Sequence, residues 1–349
     1  MQSGRRQTSV IRGIGGCVAL CIAARALGAA VAGDDARAWL ARTDAALSNR
    51  NYVGVFVHQH AGESETLRVI HRVDGYSVAE RLQSMDGSGR EFIRKGSQLF
   101  CYLPDQRTVL VEHSPDAALL LSGLPRMDAG SASEYDIRSL ARARVSGHDT
   151  RVIAIAPLDQ LRYGYRVWID EDTAMPLKTQ LRDSHGVVLE QIVFTSLNML
   201  ARIPNRELEP GIDARSYRWF RRDTEPVASG KLSVSWESTA LPPGFRMTAS
   251  ARQTLPAGPV EHLVFSDGLA SVSVFVEVGP GDGADSGERG GSARIAAEDA
   301  ATLGASSAYS TVVQGYRVTA VGEVPPETVR LIAQAIRNAA PPAAALGRP

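Results

Sequence analysis

"ERLQSMDGSGREFIRKGSQLFCYLP", residues 80–104, decides how this chain folds. Apolar and polar residues alternate on both sides of Asp86-Gly87 and of Lys95-Gly96. Period two marks a strand with one face buried. Asp-Gly between two such runs is a strong hairpin signal, because the central turn positions favour positive φ. Connections this short join antiparallel neighbours. The pattern extends outward through "YVGVFVHQH" (52–60), "ETLRVIHRVD" (65–74), "YSVAERLQSM" (76–85) and "RTVLVEH" (107–113). It predicts a long up-and-down meander.

Before the meander, Trp39, Leu40, Thr43, Ala46 and Leu47 recur at helical spacing behind Asp34-Asp35, which predicts a short amphipathic helix to about Asn49. After it, Ser114 to Ala143 loses the alternation. "PDAALLLSGL" and "ASEYDIRSLARA" predict one or two helices or a helical lid. Strands resume at 151–158, 163–170, 177–183 and 186–197. In 163–170, Tyr163, Tyr165, Val167 and Ile169 share one face. Pro204, "ELEPG" and "RWFRRDTEP" mark a composition shift, read as a linker over 201–217. A second strand-rich unit follows over 218–338, with Asp267-Gly268 as a hairpin turn. It ends in a helix after Pro325-Pro326 with Val329, Ile332, Ala333 and Ile336 on one face. The glycine-rich stretch 279–293 reads as a polar loop tip, and 339–349 as a frayed tail.

The chain has 349 residues, enough for about two domains. Lys+Arg and Asp+Glu both total 38, which argues against a nucleic-acid binder. Arg5, Arg6 and Arg12, an apolar run Ile14 to Ala24 and Ala30-Val31-Ala32 compose a secretory leader, residues 1–32. The alternative is an uncleaved anchor, for which the run is short. Export removes Cys17 and Cys21 and leaves Cys101 alone, so the exported fold stands on packing, without a disulfide. Cys101 alternates with Leu99 and Leu103, as a buried inert thiol does.

Catalytic and cofactor templates fail: GxSxG, HExxH, CxxC and the phosphate-cradling P-loop are all missing from the sequence. His58 and His60 share a strand face and could seat a metal with His71 or His113; solvated strand histidines are the favoured reading. Asp170-Glu171-Asp172 reads as a turn, not a Ca²⁺ loop, since the spaced ligands are missing. No catalytic residue, metal or cofactor is expected. A long antiparallel sheet with one apolar face must bury it, and a curled sheet plugged by two or three helices can keep an apolar hollow.

Residues 51–112, together with "RYGYRVWIDEDTAMPLKTQLRDSHGVVLEQIVFTSL" (162–197), "LPPGFRMTASARQ" (241–253), "HLVFSDGLASVSVFVE" (262–277) and "QGYRVTAVGEVPPETVRLIAQAI" (314–336), resemble the MucB/RseB family. These are periplasmic regulators of the sigma-E (AlgU) envelope-stress response. The resemblance spans nearly the whole exported chain. It implies an α+β, mostly antiparallel fold: a LolA-like unclosed β-barrel with helices over 33–200, then a smaller antiparallel-sheet domain with helices. It implies a periplasmic location and binding of the periplasmic segment of a membrane anti-sigma factor of the RseA/MucA kind. The bound segment would be shielded from the site-1 protease and released when lipopolysaccharide or another lipid occupies the first domain. A homo-oligomer stays open.

On that reading the lipid-binding candidates are Val55, Val57, Val69, Phe92, Leu99, Val167, Ile169 and Leu181, each also readable as plain core. The partner-binding candidates are Phe265, Leu269, Val272, Val274 and Phe275, with the basic cluster Arg218, Arg221 and Arg222 facing an acidic partner. The rival classes are a periplasmic lipid or lipoprotein carrier and an unrecognised hydrolase using His58, His60 or Asp170.

Overall fold

The structure is a computed structural model that describes residues 28–75, 77–87, 89–113, 132–222, 236–255, 258–277 and 298–338. Residues 1–27 of the leader expected over 1–32, the candidate helix 115–124, the glycine-rich stretch and the tail lie outside the described residues.

Helix α1 (Gly28–Asn49) comes first. The meander follows as β1 (Tyr52–His60), β2 (Glu63–Asp74), β3 (Ser77–Ser84), β4 (Glu91–Lys95), β5 (Gln98–Leu103) and β6 (Thr108–His113). Next come β7 (Tyr135–Ser139), β8 (Ala143–Val145), β9 (His148–Pro157), β10 (Gly164–Asp170), β11 (Pro176–Arg182), β12 (Val188–Met199) and β13 (Arg218–Arg222). They build one sheet in the order β13-β6-β5-β4-β3-β2-β1-β12-β11-β10-β9-β7, with β8 beside β9. The pairing of β1 with β12 joins two meanders, and the sheet ends at β13 and β7 without closing. The turns do what the sequence asks: Gly96, at φ 60°, takes the left-handed conformation that lets β4 double back onto β5.

α1 lies against the inner face. Its buried stripe, Ala36, Trp39, Leu40, Thr43, Ala46 and Leu47, meets Tyr52, Phe56, Leu67, Val69, Val167, Ile169 and Phe194 in one core. Each fully buried large apolar side chain there contributes about 1.5–3 kcal/mol. Arg42 and Arg151 stack on the Trp39 ring at 4.0 and 5.1 Å.

Two expectations are corrected. "ASEYDIRSLARA" forms no α-helix beyond a single 3-10 turn at Ala132–Glu134. Tyr135–Ser139 forms β7, because Tyr135 and Ile137 point alternately into the core and pair with β9. Residues 201–217 are not a free linker. They run across the outer face of the sheet, where Ile203 and Leu208 cover Ile70, and Ala214 joins Ile93, Tyr102, Val109 and Val111. Arg218–Arg222 then pairs in parallel with β6 and belongs to the first sheet. The outer face is tied down by polar contacts. Arg81 makes two hydrogen bonds to Glu91, at 3.2 and 3.0 Å, and Glu91 also accepts the Gly211 amide. A Cβ on Gly211 would lie 2.8 Å from the Arg81 guanidinium, so the close approach needs glycine.

The second unit holds β14 (Trp236–Ser238), β15 (Arg246–Leu255), β16 (Gly258–Ser266), β17 (Ser271–Glu277), β18 (Glu298–Leu303), β19 (Ser306–Val313), β20 (Tyr316–Gly322), α2 (Pro326–Ala335) and β21 (Ile336–Asn338). Six strands run β15-β16-β17-β20-β19-β18, and β14 pairs with β21. Val329, Ile332, Ala333 and Ile336 pack on one face of the sheet against Leu263, Phe265, Val272, Val274, Val318 and Ala320. β18, fully exposed along its length, is a strand that the periodicity did not reveal.

Candidate functional site

Cross-strand register sorts the inner face of the first meander into rows. Val69, Leu82, Phe92, Cys101 and Leu110 stand side by side across β2 to β6, and Phe220 of β13 continues the row. Leu82, Phe92 and Leu110 are half-buried and Phe220 is 51% exposed, so this row is an apolar strip that the described core leaves partly uncovered. The next row is polar: Tyr52, His71, Glu80 and Arg94, followed by Leu99 and Glu112. Tyr52 stacks on His71 at 4.8 Å. His71 Nδ1 lies 3.0 Å from one Glu80 oxygen, and Arg94 Nε lies 3.2 Å from the other. His71 and Glu80 are fully buried, which such polar groups tolerate only when hydrogen-bonded. A partly uncovered apolar row thus lies beside a row of buried polar groups that satisfy one another. Burial, with Glu112 nearby, pushes the Cys101 thiol up to about 11, so the thiol in this floor is inert at neutral pH.

The second feature is the seam between the units. Ala305 covers Tyr163 and Leu181, and a Cβ on Gly304 would meet His60 at 2.9 Å. Thr328 Oγ1 donates to the Leu161 carbonyl. Arg162 and Asp267, both buried, pair across the seam, and Tyr135 donates to Asp267 at 2.9 Å. Burial, reinforced by the Asp267 carboxylate, pushes the Tyr135 phenol far above its ordinary value, so it stays a donor. His58 Nε2 donates to Glu190 at 2.6 Å beside the seam, with His60 Nδ1 3.8 Å from the same carboxylate.

A sequence profile of the MucB/RseB N-terminal domain matches residues 35–212, and one of the MucB/RseB C-terminal domain matches 231–337. The chain is 34% identical to the Sigma factor AlgU regulatory protein MucB of Pseudomonas aeruginosa over 308 residues, 87% of this chain and 91% of that protein. The complex structure of Pseudomonas aeruginosa MucA/MucB superposes with a TM-score of 0.67 at 31% identity, covering 88% of this chain and all of that one. The crystal structure of MucB superposes at 0.57 and 29% identity, covering 87% of this chain and 98% of that one. This chain belongs to the MucB/RseB family.

Within that family fold, the structure separates the residues singled out from sequence. Val69, Val167 and Ile169 lie in the inner core with α1, and Phe92 and Leu99 line the inner face beside it. Val55 and Val57 are corrected: they alternate with Gly54 and Phe56, so they stand on the outer face. Leu181 packs under Ala305 in the seam. Phe265, Val272 and Val274 are fully buried in the second unit's core and present nothing to a partner. Leu269 packs against the first unit's core, while Phe275 faces the other side of its sheet, stacked on His262 at 4.5 Å. Arg218 and Arg221 are exposed on the edge strand β13 beside Trp219 and Phe220. The four histidines do not converge. His58 and His60 meet Glu190, His71 meets Glu80, and His113 lies 3.5 Å from Ser97. Among the described residues no cluster of His, Cys, Asp or Glu could hold a metal ion. Asp170 serves its turn by accepting from Thr173. Arg162 and Tyr135 were missed. Within "DQLRYG" the local partner Asp159 reads as an ordinary surface pair three residues away, and nothing nearby in sequence points to the second partner, Asp267, 105 residues on.

Proposed function

We propose that this chain is a non-catalytic periplasmic regulator. It binds the periplasmic segment of a membrane anti-sigma factor of the RseA/MucA kind, shields it from site-1 proteolysis and releases it when a lipid signalling envelope damage occupies the first unit. The observation that carries this reading is the superposition, through both units, on MucB crystallised with MucA. The first unit's floor supports the sensing half, since its strip at Leu82, Phe92 and Leu110 is apolar and only half-buried. The exposed basic-aromatic edge at Arg218, Trp219, Phe220 and Arg221 is the surface offered to the partner. No helix among the described residues is long and apolar enough to cross a membrane; the leader supplies export.

The switch is linkage: a ligand that favours an arrangement unable to hold the partner weakens partner binding by its differential free energy, typically about 1–3 kcal/mol. Calorimetric titration of the exported chain with the anti-sigma periplasmic segment is the test. Saturating lipid A fragments are expected to weaken binding about 5–150-fold. Phe92→Glu is expected to abolish that effect and leave binding without lipid intact. Unchanged affinity at saturating lipid A fragments refutes the switch, and no binding of the segment refutes the regulator.

A further inference from the structure

The contact between Arg162 and Asp267 has the features of a latch. Arg162, in the loop between β9 and β10, is fully buried. A buried guanidinium persists when its N–H groups are met. Nε and Nη2 donate to Asp159 at 3.0 and 2.9 Å, Nη2 also reaches the Pro243 carbonyl of the second unit at 2.7 Å, and Nη1 donates to Asp267. Asp267 opens the turn between β16 and β17. One carboxylate oxygen accepts the amides of Leu269 and Ala270, at 2.9 and 2.7 Å. The other takes Arg162 and the Tyr135 hydroxyl. The turn is therefore shaped from inside by the carboxylate that pins it to the first unit.

Beyond the pin, the turn carries an apolar tip. Leu269 packs against the cluster formed by α1 and the sheet's inner face, the cluster that also takes in Val69 and Leu82. Loss of Arg162 strands the buried Asp267 carboxylate, loss of Asp267 leaves Nη1 of Arg162 without its carboxylate while Asp159 still pairs the guanidinium, and loss of the Tyr135 hydroxyl removes one donor from Asp267. Leu269 and Leu82, a member of the half-buried strip, pack against this same cluster.

We propose that the turn 267–270 is an intramolecular plug. Its Leu269 competes with an acyl ligand for the first unit's inner face, and the Arg162–Asp267–Tyr135 latch holds it there until a ligand expels it. Occupancy of the first unit is thereby transmitted to the second as withdrawal of the turn. The inference rests on the lipid-sensing reading above for its ligand, but not for the latch.

The experiment uses the full exported chain with spin labels at two exposed positions, Met85→Cys and Val312→Cys, and tetradecyl phosphate as the acyl probe. Unliganded protein should show one narrow inter-label distance, and the probe should add a second population. Asp267→Asn, and the milder Tyr135→Phe, should show that second population without probe. Leu269→Ala should bind the probe about tenfold more tightly, within the usual range of coupling between sites. If Tyr135→Phe and Asp267→Asn melt cooperatively and keep the narrow distance, the latch is refuted. If the probe binds and leaves the distance unchanged, or Leu269→Ala binds no tighter, the competition is refuted and lipid binding by the first unit survives. If the probe binds no variant, the sensing reading falls and takes the plug with it, while a distance change in Tyr135→Phe still upholds the latch.

Discussion

Glu91→Gln asks whether residues 203–217 are a structural strap or a slack connection. Glu91 is 1% exposed, and its partner Arg81 is 8% exposed. The carboxylate takes two hydrogen bonds from Arg81 and the Gly211 amide at 3.0–3.2 Å. The near-isosteric amide removes the counter-charge and sets an NH2 donor among donors that need an acceptor. Stripping one partner from a buried pair costs about 3–5 kcal/mol, a large part of the roughly 5–15 kcal/mol that holds a domain together. At a urea slope of about 2–3 kcal/mol/M, the midpoint should fall by about 1 M or more. The damage should be local as well as global, because the strap covers Ile70, Ile93 and Val109. Trypsin should therefore cut the variant at Arg206 and Arg215 under native conditions before it cuts elsewhere. A loss below about 1 kcal/mol, the size of a surface pair, with an unchanged tryptic pattern would falsify the strap.

Two further expectations follow from single groups. With its thiol raised to about 11, Cys101 at pH 8 is about one part in a thousand thiolate, so Ellman's reagent should react roughly 200-fold more slowly than with an ordinary thiol; a rate within tenfold of a free cysteine contradicts its burial. Burial holds His262 below its ordinary value, so its native state resists protonation that the unfolded chain accepts. Its contribution to stability is complete above the ordinary histidine value of about 6.5 and is lost as pH falls through the lower native value. The stability difference between the native protein and His262→Gln should therefore shift against the native protein on acidification from pH 7 to 5, and a pH-independent difference in thermal melts rules this out.

Much of the first unit was legible because its strands alternate and its turns use Asp-Gly and Lys-Gly. The α1 stripe and the apolar face of α2 were also written in their spacing. The legibility failed where both faces of a strand are covered. On β2, Val69 and Ile70 are both buried, one under α1 and the other under the strap. Alternation then no longer says which face is inner, and Val55 and Val57 were assigned to the wrong one. β7 was misread as helical because only its short run of Tyr135, Ile137 and their pairing with β9 makes it a strand. The second unit's candidates failed for the opposite reason. Phe265, Val272 and Val274 are apolar because a small sheet needs a core, and an apolar residue looks the same whether it serves a core or a partner.

The sequence by itself determined the antiparallel meander, the two flanking helices, the division into two strand-rich units and membership of the family, since each rests on local spacing or on blocks of residues in order. Tertiary structure alone decided which row of the sheet faces inward, that the supposed linker straps the outer face, and that Arg162, Asp267, Tyr135 and Leu269 meet at the seam. Those outcomes depend on pairs more than a hundred residues apart, such as Arg162 with Asp267 and Glu91 with Gly211. Burial and charge pairing act through space, and a one-dimensional pattern records only the residues that must be apolar or charged, not the ones they will meet.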